Sequence, residues 1–201
     1  MPTLLTHAPD PTRPLAPPRK RWTRDQCAPL EASGLFERER LELLDGELIT
    51  KIGKNRPHVN AFTLMQIWLV KAFGERFVNA EAPIDVSPAD NPSNEPEPDL
   101  IVLKRDFSTF RSGNPQPEDL SLVVEIADSS LAFDLTTKAA LYARASIPEY
   151  WVLDVAGRRL IVHREPASGR YTMVEMYSEN ESVCPLAAPA AVFQPSQALV
   201  P

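Results

Sequence analysis

Three side chains in this sequence could do chemistry together: Asp99, Glu125 and Lys138. Asp99 opens the apolar run Leu100-Ile101-Val102-Leu103, and Glu125 lies inside Leu120-Ser121-Leu122-Val123-Val124-Glu125-Ile126-Ala127. Both runs are short and rich in Val, Ile and Leu, which predicts buried strands. Strand alternation groups Glu125 with Val123 and Ala127, so the acid points where apolar side chains are expected. An ionised carboxylate buried without a partner costs several kcal/mol. Something positive must therefore face the two acids, and a divalent cation or a lysine would serve. Mg²⁺ takes one or two carboxylates with waters and phosphate oxygens, and the carbonyl of Ile126 would complete the protein's own donors. Such an ion would acidify a bound water and offset charge on phosphorus during hydrolysis. Lys138 would orient that water or stabilise the pentavalent state, its ammonium kept charged by the acids. Glu47 would add a metal contact or hold a water.

Each accessory candidate also has a plainer reading. Glu47 directly follows Asp45-Gly46, a tight-turn signal between apolar runs that predicts a hairpin over residues 40–52. There it is equally read as an exposed strand-end acid. His58 falls in the first turn of a helix predicted over 58–73, where a surface or capping role is ordinary and the neutral imidazole is favoured. A helix predicted from about Asp134 to Ser146 carries Leu135, Lys138, Tyr142 and Ala145 on one face. A snorkelling lysine would fit that face as well as a catalytic one.

The positioning elements follow in chain order. Residues 1–20 hold Pro2, Pro9, Pro11, Pro14, Pro17 and Pro18, and are expected to be a disordered basic tail. Thr23 caps a short helix reaching about Ala32, which Gly34 ends. Pro57 suits the start of the 58–73 helix, Gly74 closes it, and its apolar residues on most faces predict a buried helix. Residues 76–86 read as an edge strand because of Pro83, and 87–98 as a loop. Residues 104–119 form an exposed loop or short helix. After the helix that Pro148 stops, Glu149 to Asp154, Arg159 to His163 and Tyr171 to Met176 are strands of a meander. From about Pro185 the chain is Pro- and Ala-rich and is expected to trail over the surface. The domain is thus drawn over 21–195, with 196–201 as a tail.

A length of 201 residues suits one domain with its own core. No apolar run nears the roughly 20 residues that span a bilayer, and the N-terminus lacks a secretory h-region. Cys27 and Cys184 form neither a disulfide framework nor a metal spacing, which suits a reducing cytoplasm. Residues 1–30 carry five basic and two acidic side chains, so −9 of charge falls on the rest of a chain whose net charge is −6. That argues against a protein that coats DNA, though not against a nuclease with an acidic metal site. There is no internal repeat, phosphate-binding glycine loop or nucleophile elbow.

Pro98-Asp99, then Glu125-Ile126-Ala127, then a lysine, resembles the PD-(D/E)XK nuclease superfamily. More closely, the chain is similar to the Uma-two family of restriction-type endonucleases, found largely in bacteria. Leu43-Leu44-Asp45-Gly46-Glu47-Leu48 resembles that family's leading acidic turn, and Pro57-His58 its helix start. Pro98-Asp99-Leu100-Ile101-Val102 and Leu122-Val123-Val124-Glu125-Ile126 resemble its two metal-bearing strands. Asp134, Lys138, Leu141-Tyr142-Ala143 and Pro148-Glu149-Tyr150-Trp151-Val152-Leu153-Asp154 resemble its later helix and strand. The likeness spans roughly residues 22–195. It implies an α/β restriction-endonuclease-like core, a mixed sheet flanked by helices, and Mg²⁺-dependent hydrolysis of DNA, with Mn²⁺ as substitute. Asp99, Glu125 and Ile126 would be the metal ligands and Lys138 the catalytic lysine, with His58, Asp134 and Tyr142 as accessory candidates. The superfamily's lysine usually lies two residues after the second acid; here Ala127 stands there and the lysine has moved to Lys138, as is usual in this family. Ser146 replaces a customary glycine. Cutting both strands would suit a homodimer. Two other readings stay open: an inactive nuclease fold serving as a binding module, and a phosphohydrolase acting on small phosphoesters.

Overall fold

A computed structural model describes residues 19–37, 39–51 and 55–200. The expected disorder of residues 1–20 falls almost wholly outside the described residues, as does Ile52 of the expected hairpin. The chain opens with helix α1 (Arg24–Ala32) and a hairpin of β1 (Leu41–Leu44) and β2 (Glu47–Thr50). Asp45 and Gly46 turn the hairpin with φ of 47° and 74°, the left-handed pair that matches strand twist. Next come helix α2 (Arg56–Phe73), β3 (Val78–Ala80), β4 (Leu100–Leu103) and β5 (Leu120–Ala127). A crossover follows, made of α3 (Leu131–Phe133), a π-turn at Asp134–Lys138 and α4 (Ala139–Arg144). Strands β6 (Glu149–Asp154), β7 (Arg159–Ala167) and β8 (Arg170–Ser178) complete the meander.

Strands β3 to β8 form one six-stranded sheet in chain order. Every neighbouring pair is antiparallel except β5 and β6, which run parallel. A parallel pair cannot be joined by a tight turn, so the segment after β5 must cross the sheet as a helix. This is the mixed α/β core flanked by helices that the resemblance implies.

Side chains alternate between two cores. Val123, Ala127, Ile101 and Leu103 face α4 and the hairpin, together with Tyr142 and Tyr150. Leu122, Val124, Ile126, Leu100 and Val102 face α2. Glu125 shares parity with Val123 and Ala127 and therefore points toward the crossover helix.

Four expectations need correction. The strand over 76–86 shrinks to Val78–Ala80, because Glu81 takes a left-handed φ of 49° and Pro83 has no N–H to pair. The 58–73 helix begins at Arg56, capped by the Asn55 side chain, and buries only Ala61, Met65 and Leu69; Ile67 faces out. The helix expected from Asp134 begins at Leu131; Leu135 packs partly buried against the core that holds Tyr142 and Ala145, and Asp134 is buried as well, alongside Lys138.

The segment after Pro185 does not trail away. Val183 and Phe193 exchange backbone hydrogen bonds, and Phe193 packs against Trp68 and Trp151 with centroids 4.7 and 5.7 Å apart. Ala198 and Leu199 are buried in the same core. The fully buried Glu149 anchors this segment. Its Oε1 accepts from Arg164 at 2.6 Å and its Oε2 from the Leu186 amide at 2.7 Å, while Arg164 donates to the Cys184 carbonyl.

Candidate active site

The carboxylate of Glu125 is held in place from the crossover helix. Lys138 Nζ donates to its Oε1 at 2.9 Å, and the Tyr142 hydroxyl donates to the same oxygen at 3.1 Å. Asp134, Lys138 and Tyr142 recur every four residues, which lines them up along one helix face. The intervening π-turn is a rare geometry that tends to mark functional positions. Lys138 is therefore no snorkelling lysine, since its side chain is 7% exposed and enclosed by acids.

Asp99 sits just before β4, level with the end of β5. Its Oδ2 accepts the Ile126 amide N–H at 2.8 Å, and His58 Nε2 lies 3.5 Å from the same oxygen. In an extended strand a residue's carbonyl leaves on the side of its amide, so the Ile126 carbonyl also turns toward Asp99. His58 reaches this point from the first turn of α2, whose Asn55 cap donates to Asp128 at 2.5 Å. The His58 Nδ1 is buried and makes no hydrogen bond among the described residues.

These groups line one cleft of about 310 Å³. Asp99, Glu125, Ile126, Lys138, His58 and Asp134 all line it, and Tyr142 stands beneath through Glu125. The cleft lies at the carboxyl end of β5, where α/β sheets commonly bind ligands. At its rim Lys51 bonds Glu97 at 2.9 Å and Arg40 pairs with Glu81, so two of the lining acids are already neutralised.

Glu47 is absent from this group. It ends β2 beside the turn, is partly exposed, and pairs with Arg21 at 3.1 Å. The hairpin supplies Glu42 instead, a residue the sequence reading passed over. Glu42 is 4% exposed, and its Oε1 lies 3.1 Å from Lys138 Nζ and accepts the Glu97 N–H at 3.1 Å. Its signal was the one that marks Glu125: an acid inside an apolar run, here Leu41-Glu42-Leu43-Leu44.

Burial dominates the electrostatics. It pushes the Glu125 carboxyl up to about 8 against the pull of Lys138, with Asp134, Asp99 and Glu42 adding to the rise. Burial likewise raises Asp134 to about 6, opposed by Lys138 and by Ser130, which donates at 2.5 Å. Burial disfavours the Lys138 ammonium too, yet Glu125, Glu42 and Asp134 outweigh it and raise its pKa. One ammonium thus sits among more acids than it can neutralise. Among the described residues no three His, Cys, Asp or Glu side chains form a ready metal cage. Asp99, Glu125 and the Ile126 carbonyl nonetheless make a set of hard oxygen donors, which fits a cation that keeps waters and takes substrate oxygens.

Comparison with known proteins agrees with this architecture. The family model Uma2, described as "Putative restriction endonuclease", matches residues 27–194. No curated protein matches the chain. Among solved structures, a protein from Anabaena variabilis described as "a putative nuclease belonging to DUF820" is similar over 88% of this chain and 96% of its own. The two are 15% identical with a TM-score of 0.65, a likeness of fold. No helix among the described residues is long and apolar enough to cross a membrane.

Proposed function

The chain belongs to the Uma2 family, and we propose that it is an endonuclease that hydrolyses phosphodiester bonds of DNA with Mg²⁺, or Mn²⁺ in its place. One observation carries this reading: the Lys138 ammonium and the Tyr142 hydroxyl meet on a single buried oxygen of Glu125, in a cleft that Asp99 also lines. A buried acid–lysine pair is an expensive way to stabilise a fold, because apolar residues of equal volume often do as well or better. Its place in a cleft at a strand's carboxyl end supports a chemical role.

Asp99, Glu125 and the Ile126 carbonyl would hold the cation. Bound there, it would supply Lewis acidity toward a phosphate oxygen and a more acidic water. Lys138 would hold the attacking water by hydrogen bonding and balance charge on phosphorus as the P–O bond to the leaving group breaks. Tyr142 would keep Glu125 oriented from beneath, and His58 would hold Asp99 from the α2 side. Asp134 would act on Lys138 through its charge. Lys51 and Arg40 offset two acids at the cleft mouth, which lessens repulsion of a phosphate backbone.

Plasmid nicking tests the proposal. Purified protein should nick supercoiled DNA with Mg²⁺ or Mn²⁺, and Glu125→Ala or Lys138→Ala should lower the rate by roughly 10²- to 10⁴-fold. Absence of both nicking and Mn²⁺ binding in the wild type would overturn it. Faster turnover of a small phosphoester than of polymeric DNA would reassign the substrate.

A further inference from the structure

We infer that Glu42 is a positioning residue of this cleft, holding the Lys138 ammonium from the hairpin side so that it stays in place when Glu125 turns to other ligands. The kinetic part of this inference rests on the nuclease reading; the structural part does not.

Glu42 belongs to a different sheet from Glu125. The hairpin β1–β2 is separate from the six-stranded sheet, and Glu42 pairs across it with Ile49, which also lines the cleft. A lysine has four side-chain torsions, so one hydrogen bond leaves its ammonium free to swing. Two carboxylates at 2.9 and 3.1 Å, fixed on two separate elements, remove that freedom. The Glu42 oxygen that faces Lys138 also accepts the amide of Glu97, two residues before Asp99. One atom therefore ties the lysine to the segment that leads into Asp99 and β4. If a cation draws the charge of Glu125, Lys138 would lose half its anchoring without Glu42. An acid at 4% exposure in an apolar strand is costly unless paired, and Lys138 is its ionic partner.

Glu42→Gln tests this, since glutamine keeps the shape and still accepts the Glu97 amide while losing the charge. In protein carrying ¹⁵N-lysine, the Lys138 ammonium is assigned by its loss in Lys138→Arg. It should give a sharp signal in wild type and a broadened or missing one in Glu42→Gln. Mn²⁺ affinity should stay unchanged, and kcat for nicking should fall roughly ten- to hundredfold at constant KM, the usual scale for an outer-shell partner. Thermal unfolding guards against a folding artefact. Glu42→Gln should destabilise the wild type but have little effect in a Lys138→Met background. An unchanged ammonium signal with unchanged kcat would overturn the inference, and so would a loss of Mn²⁺ affinity, which would make Glu42 a ligand. If the wild type neither nicks DNA nor binds Mn²⁺, the proposed activity falls, while the ammonium signal and the unfolding cycle still decide the role of Glu42.

Discussion

At the residue scale, the cleft pits one ammonium against several acids, and this makes it sensitive to pH. A carboxyl whose folded pKa lies above its unfolded value contributes stability fully below the unfolded value and loses it as pH rises through the folded one. For Asp134 that window runs from 3.8 to about 6, and for Glu125 from 4.5 to about 8. Lys138, raised above its ordinary value, keeps its charge across both windows. The metal-free protein should therefore unfold at lower temperature at about pH 9 than at about pH 5, with buried His163, whose pKa burial lowers, working the other way, and Glu125→Gln should flatten the upper part of that slope. Metal binding needs the ionised carboxylate, so Mn²⁺ affinity should climb across the Glu125 window. Calorimetry showing the same affinity at both ends would contradict the assignment of Glu125 as a ligand. Asp99, Glu125 and Lys138 could be picked out from the sequence because charge in an apolar run is conspicuous. Glu42 carries that same mark, but the turn beside Glu47 drew attention to the wrong end of the hairpin.

At the element scale, the crossover helix decides where the lysine goes. A regular 3.6-residue repeat from Asp134 predicts Leu135 on the Lys138 face. Asp134, four residues before Lys138, lies on that face as well, and the π-turn spans the two; a carboxylate there is invisible to a count of apolar spacing alone. The end of the same helix also carries a local strain. Ser146 has a φ of 58°, and Ile147 N–H bonds back to the Tyr142 carbonyl, the wrapped C-terminal turn in which glycine is favoured. Ser146→Gly should stabilise the protein by about 1 kcal/mol, which removes the left-handed penalty on a side-chain-bearing residue. The unfolding midpoint should rise by about 2–4 °C. A lower midpoint would mean that the Ser146 side chain makes a contact worth more than the strain.

At the scale of the whole molecule, the far face of the sheet is closed by the C-terminal segment. Phe193 is fully buried between Trp68 and Trp151, so Phe193→Ala should cost about 3–5 kcal/mol, read from denaturant unfolding. A loss below about 1 kcal/mol would show the segment to be dispensable packing. The site lies on the opposite face, which lets this variant report on stability rather than chemistry. The strands β4, β5 and β6, the Asp45-Gly46 hairpin and the β7–β8 meander were all determined by sequence alone, because their signals are local: two-residue alternation, runs of branched apolar side chains and turn residues. Only the tertiary structure decided that Lys138 bridges Glu42 and Glu125, that Glu47 stands apart, and that the Pro-rich end packs as core. Those outcomes depend on which residues from distant parts of the chain share one space, and the cost of burying a charge is settled only there.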